Sequence, residues 1–240
     1  MATGRALPPP SPFAGDDGAA DQDLQATLTG FAVGSATLRD VVVVLAAARV
    51  LVPVLAELEA CDTTDTGLVV DKEASAGVVA LRTPDGRTAL PVFSSVATMT
   101  AWRTDARPVP AQSVRAAASA LQEGWELLVL DPGGPVTVVV PRPAVQALAA
   151  GAQWVPATGA GQVRSDVRAA VVAAVGALDH VVAVDAVPGT GAEVAVVLGL
   201  RRGLDRAGLD RLLAQVGGRL AADEVVTGAV DTLELRVTSV

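Results

Sequence analysis

The sequence predicts an α+β protein made of two small modules, each a mostly antiparallel sheet packed by helices, behind a disordered N-terminal arm. Hydrophobic residues make up 51 % of the 240 residues and aromatic residues only 2 %, so the core must consist of Ala, Val and Leu. Short Val-rich runs bounded by Gly and Pro alternate with Ala-rich runs of helical period. The last part of the chain follows an α-β-β-α-β order, which is typical of two helices on one small sheet.

These patterns divide the chain into four segments. Residues 1–25 are rich in Pro, Gly, Ala and Asp and lack periodicity, so we expect them to be disordered. An α+β domain follows over 26–157. The small, flexible stretch "PATGAGQ" marks a boundary, with a linker at 158–163. A second domain occupies 164–240.

The first domain opens with a helix at about 36–48, which Ser35 can cap. A strand follows at 50–57, where Pro53 removes one ladder donor and favours an edge position or a bulge. The apolar run at 41–55 is about 15 residues long and contains a charge, whereas a membrane span needs about 20 apolar residues. We therefore interpret this run as a buried helix that leads into a buried strand.

A hairpin comes next, because "GVVALR" and "TALPVF" flank the turn sequence "TPDG". Ser94 or Ser95 then caps a short helix that ends at Trp102. The stretch "DARPVP" is a Pro-punctuated turn before a second helix at 111–123. "ELLVLDPGGPVTVVV" forms another hairpin-like pair, and a helix at about 143–150 ends the domain.

The second domain contains two helices and three strands. Each segment has the period of its element and is bounded by turn residues. The predicted order is a helix at 164–178, strands at 181–187 and 192–199, a helix at 205–221 and a strand at 230–238.

The charge balance argues against several partners. The net charge is −8 and the pI about 4.6, whereas nucleic-acid binding needs a basic face. No cluster of Arg exceeds Arg201-Arg202, so we expect neither nucleic acid nor an anionic membrane surface as a partner. The N-terminus lacks the apolar core of a secretory signal. A lone cysteine, Cys61, fits a reducing cytoplasm, and we predict a cytoplasmic location.

The residue inventory also limits metal sites and cofactors. Zinc sites draw on several Cys and His, and this chain has one of each, Cys61 and His180. Four acidic residues cluster in sequence without EF-hand spacing and are interpreted as a solvated loop: Asp62, Asp65, Asp71 and Glu73. We predict neither a metal nor a cofactor.

No recognised catalytic device is present in the sequence. A Ser-His-Asp or Cys-His pair would have to use His180, which we interpret as a turn residue. There is no G-x-S-x-G elbow, no Walker-type loop and no G-x-G-x-x-G continuation. Nothing in the sequence selects a pair of carboxylates for acid–base chemistry.

A binding site is best placed where the strand before Ser94 meets the short helix. Trp102 is one of three Trp in an aromatic-poor chain, and it either anchors its helix on the sheet or contacts a partner. Arg103 and Arg107 flank Asp105, with which either can pair. We select five candidate binding residues: Ser94, Trp102, Arg103, Arg107 and Asp131.

The same stretch carries a family resemblance. The features are Leu90-Pro91-Val92-Phe93-Ser94, Trp102, Arg107-Pro108-Val109-Pro110, Leu130-Asp131-Pro132 and Trp154-Val155-Pro156. Their order and spacing resemble the SseB-type family, which is named for an enhanced serine sensitivity phenotype. The likeness to its N-terminal domain covers about 45–157, and 163–240 resembles the companion C-terminal domain. The resemblance implies an α+β N-terminal domain, with no enzymatic activity or cofactor to carry over.

Three functions remain open. The first is a non-enzymatic cytoplasmic protein that binds a protein partner or itself, or serves as a scaffold. The second is an enzyme or small-molecule sensor with a Ser/Arg/Asp pocket in the first domain. The third, a secretion-associated component, rests on a label shared with a translocon protein. That label implies long coiled-coil helices, and the sequence has no sustained heptads.

Overall fold

The computed structural model describes residues 13–55, 69–71 and 77–239, the short middle segment by its backbone only. Helices alternate with several sheets whose strands pair mostly antiparallel. This arrangement confirms the predicted α+β class.

The chain divides into two compact units. The first contains the described residues up to Val140 together with Leu148–Ala152. The second contains Pro141–Ala147 together with the residues from Gln153 onward. Each unit has a core of its own, built from small aliphatic side chains as the composition requires.

The first unit contains four helices and seven strands among its described residues. In chain order they are α1 (Gln22–Ala32), α2 (Leu38–Ala47), β1 (Arg49–Val54), β2 (Val69–Asp71), β3 (Ala80–Arg82), β4 (Thr88–Val92), α3 (Val96–Trp102), β5 (Arg107–Gln112), α4 (Ser113–Gln122), β6 (Leu127–Leu130) and β7 (Val138–Val140).

Two sheets form the β-structure of this unit. The larger has the order β2-β3-β4-β6-β7, in which β4 and β6 run parallel and the other pairs antiparallel. The smaller is the antiparallel pair β1-β5. Leu51 of β1 exchanges two backbone hydrogen bonds with Phe93, at 2.8 and 2.9 Å, and so links the two sheets. The predicted hairpin is the β3-β4 pair.

The apolar run at 41–55 is a helix that leads into a strand, as predicted. Val41, Val42 and Leu45 of α2 are buried, and β1 continues into the same core. Among the helices described, none combines the length and the apolar character that crossing a membrane requires.

Three local predictions in the first unit were wrong. The cap of α2 is Thr37 rather than Ser35, because Thr37 and Asp40 form a capping box. The stretch predicted as a turn before the second helix is strand β5. Its pairing with β1 reaches Gln112, so α4 begins at Ser113.

The predicted N-terminal arm, residues 1–25, overlaps the first helix. Residues 1–12 lie outside the described residues. Helix α1 starts at Gln22, where the Asp21 side chain accepts hydrogen bonds from two N–H groups of the first turn. The residues just before it contact the rest of the unit, since Val96 N–H donates to the Gly18 carbonyl at 2.8 Å.

The second unit adds α5, which continues into the first unit, and eight further elements. They are α5 (Arg142–Ala149), β8 (Thr158–Gly159), β9 (Gln162–Val163), α6 (Ser165–Val175), β10 (Val181–Pro188), β11 (Val194–Leu200), α7 (Arg206–Ala222), α8 (Glu224–Ala229) and β12 (Leu233–Ser239). The order β10-β11-β12 forms its main sheet, with β10-β11 antiparallel and β11-β12 parallel. The predicted α-β-β-α-β pattern is present, with α8 as an additional short helix.

The segment 158–163, predicted as a linker, is the small hairpin β8-β9. Ala160 and Gly161 form the tight turn, with φ +50° and +73°. Ala157 and Val163, which bracket the hairpin, are buried in the core of the second unit. Composition suggested flexibility here because small residues suit a tight turn as well as a linker.

Candidate functional site

The candidate site lies at the carboxyl ends of the parallel strands β4 and β6. Ser94 follows β4 and Asp131 follows β6, and both are buried. Asp131 N–H donates to the carbonyl of Val92 at 2.9 Å, which continues the β4-β6 ladder to this point. In sheets with parallel strands, this end is where ligand-binding residues commonly gather.

The Asp131 carboxylate is satisfied by the protein itself. It accepts hydrogen bonds from Ser94 N–H at 2.8 Å, from Ser94 Oγ at 2.7 Å and from Thr98 Oγ1 at 2.8 Å. Asp131 also has φ +49°, a left-handed conformation that Asp tolerates better than most residues. Its carbonyl accepts from Gly134 N–H and Thr137 Oγ1. Asp131 therefore ties β6 to the start of α3.

Helix α3 begins with a second polar device. The Ser95 side chain accepts from Thr98 N–H at 3.1 Å, and Thr98 Oγ1 accepts from Ser95 N–H at 3.3 Å, which makes a capping box. Ser95 is thus the cap, and neighbouring Ser94 instead binds Asp131. The sequence left these two roles open.

Trp102 closes the same helix. Its ring lies 5.2 Å from that of Phe93, tilted by 37°, and it also packs with Leu51 and Met99. The indole Nε1 is buried and has no hydrogen-bond partner among the described residues. Trp102 therefore anchors α3 on the sheet, which was one of its two predicted roles.

The two predicted arginines do not join Ser94 and Asp131. Arg103 donates to both carboxylate oxygens of Asp105, at 3.0 and 3.1 Å. These hydrogen bonds hold the pKa of Asp105 below its ordinary value. Arg107 is exposed on β5 and forms no ion pair with any described residue. Of the five predicted residues, only Ser94 and Asp131 are in direct hydrogen-bond contact.

Arg49 is a connecting residue that the sequence analysis missed. Its guanidinium pairs with Asp16 at 2.6 Å and donates to the carbonyls of Ala19 at 2.6 Å and Ser94 at 2.9 Å. It thereby fastens the segment before α1 to the end of β4. The available signal was a single charge inside an apolar run, downstream of an acidic segment.

The second feature that the sequence did not reveal is an apolar groove in the first unit, of about 340 Å³. Val52 of β1 and Val109 of β5 form part of its wall, and Trp125 is among its lining residues. Exposed Arg115 and Glu123 of the α4 region contribute opposite charges to its lining. This concavity offers apolar side chains with a few charged groups, a composition that suits binding of an apolar segment.

Other candidates from the sequence have simple local explanations or cannot be placed. His180 lies in a turn with φ +69°, and its carbonyl accepts from Arg201 N–H. No group of three His, Cys, Asp or Glu suited to a metal occurs in the described part of the chain. Several predicted loop residues lie outside the described residues, namely Cys61, Asp62, Asp65 and Glu73, while Asp71 is described by its backbone only.

The chain matches a known family model. The family model described as the SseB protein N-terminal domain matches residues 24–147, just over half of the chain. This range contains the Ser94–Asp131 contact, Trp102 and the groove. No curated protein and no solved structure matches the chain.

Proposed function

The chain belongs to the SseB family, and from that premise we propose that it is a cytoplasmic, non-enzymatic protein that binds a protein partner through its first unit. The second unit is then the companion SseB C-terminal domain, in keeping with its α-β-β-α-β order. The observation that carries this proposal is the contrast between a polar strand junction, whose groups bind one another, and an open apolar groove elsewhere in the first unit.

The hydrogen bonds of Ser94 and Asp131 argue against the alternative function, an enzyme or small-molecule sensor with a Ser/Arg/Asp pocket. A serine nucleophile needs a base and an approach for substrate, but the hydroxyl of Ser94 is buried and donates to Asp131. Both oxygens of Asp131 are already acceptors for Ser94 and Thr98. This cluster stabilises the β4–α3–β6 junction, and it presents no free group to a substrate.

The groove, unlike the Ser94–Asp131 junction, is a surface that a partner can contact. Val109 is 46 % exposed beside the apolar lining, and Arg107 lies on the same strand without an ion pair among the described residues. An apolar side chain of a partner can displace water from the groove, while Arg115 and Glu123 select charges next to it. We therefore propose as occupant a partner segment with apolar side chains flanked by charge.

The edge of β5 favours side-chain docking over addition of a strand. Val52 pairs with Val109, while the N–H and C=O of Leu51 point away from β5 toward Phe93. By alternation, the outward edge of β5 falls at Pro108 and Pro110, which have no N–H to donate. The partner segment therefore binds through the groove rather than as an added strand.

A matched pair of variants tests this proposal. Val109→Glu places a charge beside the groove, whereas Val139→Glu changes an equally exposed valine of β7, at 45 % against 46 %, outside the groove lining. After affinity capture at native expression level, the partner should be lost with V109E and kept with V139E. The affinity of the purified partner should fall at least about tenfold for V109E, a free-energy change of about 1.4 kcal/mol. Equal binding by both variants would remove the groove from the interface.

A further inference from the structure

Strand β12 presents an open edge in the second unit. It spans seven residues, Leu233–Ser239, and pairs in parallel with β11 on one side. No strand among the described residues pairs with its other side. It contains no proline, and its ladder with β11 has no register shift. Proline and a β-bulge, two of the devices that usually protect an edge strand from association, are therefore absent from β12.

The backbone polarity of this edge follows from one hydrogen bond. Val194 N–H donates to the carbonyl of Thr232 at 3.2 Å. Because strand residues alternate in direction, Glu234 and Arg236 also turn their N–H and C=O groups toward β11. Leu233, Leu235 and Val237 then direct theirs outward, a row of donors and acceptors ready for another strand.

The side chains of β12 separate into two kinds. Leu233, Leu235 and Val237 are each more than a third exposed, although they align with Val194, Val196 and Leu198, which are buried in the core. Glu234 and Arg236 lie on the opposite face and form an ion pair. The open edge thus carries an apolar row on one face and a negative and a positive charge on the other.

We propose that β12 pairs with β12 of a second copy, antiparallel and with Leu235 opposite Leu235. In this register Glu234 lies opposite Arg236 of the second copy, and Leu233 lies opposite Val237. The outward N–H and C=O groups meet in hydrogen-bonded pairs, and the charged residues occupy the closer, non-hydrogen-bonded pairs. The proposal concerns another surface than the groove and does not depend on it.

Charge complementarity selects this register over its neighbours. A strand centred on Glu234 would place two glutamates opposite each other, and one centred on Arg236 would place two arginines there. Like charges directly opposite destabilise a strand pair, while opposite charges stabilise it. The register centred on Leu235 also places the apolar side chains of both copies on one face, so their burial adds to the association. The resulting dimer has a two-fold axis, the commonest oligomer symmetry.

A charge-exchange experiment on the full chain tests the dimer and its register together. Glu234→Arg leaves two positive residues on the edge, and Arg236→Glu leaves two negative ones. Each single variant should weaken self-association about tenfold or more, since both symmetric charge pairs become repulsive. Mixing the two variants should restore association as a heterodimer, because every cross-strand pair is then opposite in charge. The double variant E234R/R236E should associate like the wild type.

Sedimentation equilibrium over a wide concentration range measures these dissociation constants, and circular dichroism verifies that each variant is folded. The mixing step separates register from stability, because a variant that merely misfolds cannot be rescued by another. The proposal would be overturned if the wild type stayed monomeric at about 100 µM. Its dissociation constant would then be weaker than that of most specific interfaces. Single variants that associate like the wild type, or a mixture that stays monomeric, would also overturn the proposal.

Discussion

Ser94 donates both its backbone N–H and its hydroxyl to the Asp131 carboxylate, at 2.8 and 2.7 Å. The two residues are 37 positions apart in sequence and come together because β4 and β6 run parallel and end at the same edge. Thr98 completes the set of donors from the first turn of α3. One carboxylate thus connects two strands and a helix.

Replacing this carboxylate should destabilise the first unit strongly. Asp131→Ala leaves the two buried donors of Ser94 without an acceptor and puts Ala at φ +49°. The expected loss is about 3 kcal/mol of unfolding free energy, by the cost of unsatisfied buried groups. Asp131→Asn should lose less, since Asn tolerates this backbone conformation and keeps one acceptor. Denaturant unfolding measures both values.

Exposed Asp179 supplies the control, because its side chain forms no hydrogen bond or ion pair with any described residue. An unfolding midpoint of D131A equal to that of the wild type would contradict the structural role. Ser94→Ala separates stability from function: it should lower the midpoint while partner binding at the groove persists. Loss of binding without loss of stability would instead return Ser94 to the list of functional residues.

Gly18 is required by the close approach of the N-terminal segment to α3. It has φ +76°, and a Cβ there would lie 2.5 Å from Val96 Cγ2. Gly34 has nearly the same φ, +75°, with nothing within 4 Å of its Cβ position. Gly34→Ala should therefore cost only the backbone strain, about 1 kcal/mol. Gly18→Ala should cost about 1–3 kcal/mol more, the price of overpacking.

Hydrogen exchange locates the effect of the Gly18 substitution. The Val96 N–H donates to the Gly18 carbonyl. It should exchange faster in G18A than in the wild type and at the wild-type rate in G34A, since exchange reports local opening. Equal loss of stability in the two variants would mean that the clash is relieved at no cost. The docked segment would then contribute little to the fold.

The sequence predicted much of the fold because its strands and helices have strong local signals. The β3-β4 hairpin follows from its turn residues, and α2 from its apolar face. The contacts of Asp16 with Arg49 and of Gly18 with Val96 were not predicted, because they join residues distant in sequence, which composition cannot reveal. The prediction of a turn at β5 was wrong for a similar reason, since the pairing of β5 with β1 overrides the turn preference of two prolines.

The candidate site was predictable in part. Ser94 and Asp131 were selected because each follows a strand, and the parallel pairing places them in contact. That the contact closes the site could not be predicted, because burial and the number of donors depend on the packed structure. The groove depends on the alignment of β1 with β5 and α4, which local patterns do not encode.

The prolines of β5 should protect its edge from association. Replacing Pro108 and Pro110 by Val supplies outward N–H groups to an exposed strand, and self-association should increase. The measurement is sedimentation in the E234R background, which separates this edge from β12. Val109→Thr is the control, because the N–H of Val109 faces β1 and the substitution adds no outward backbone N–H. Unchanged association of the double proline variant would show that another feature shields this edge.

Glu193 gives the second unit a defined pH dependence. Its carboxylate accepts from Ala157 N–H at 3.3 Å and from Asp231 N–H at 2.8 Å, with Arg164 as the nearby cation. Burial nevertheless raises its pKa above the ordinary 4.5. A carboxyl with a raised pKa in the folded state stabilises the fold fully below its unfolded pKa, and this contribution is lost as pH rises through the folded pKa.

The comparison of wild type with Glu193→Gln isolates the pH-dependent contribution of Glu193 to stability. The Tm of the wild type minus that of the variant should decrease from about pH 4 to about pH 7. Asp166 and Asp185 have lowered pKa values because of hydrogen bonds from Arg164 and Arg168, and their stabilisation is lost as pH falls. They are present in both proteins, so their effect cancels in the difference. A difference that stays constant or grows with pH would show that the two backbone donors outweigh burial at Glu193.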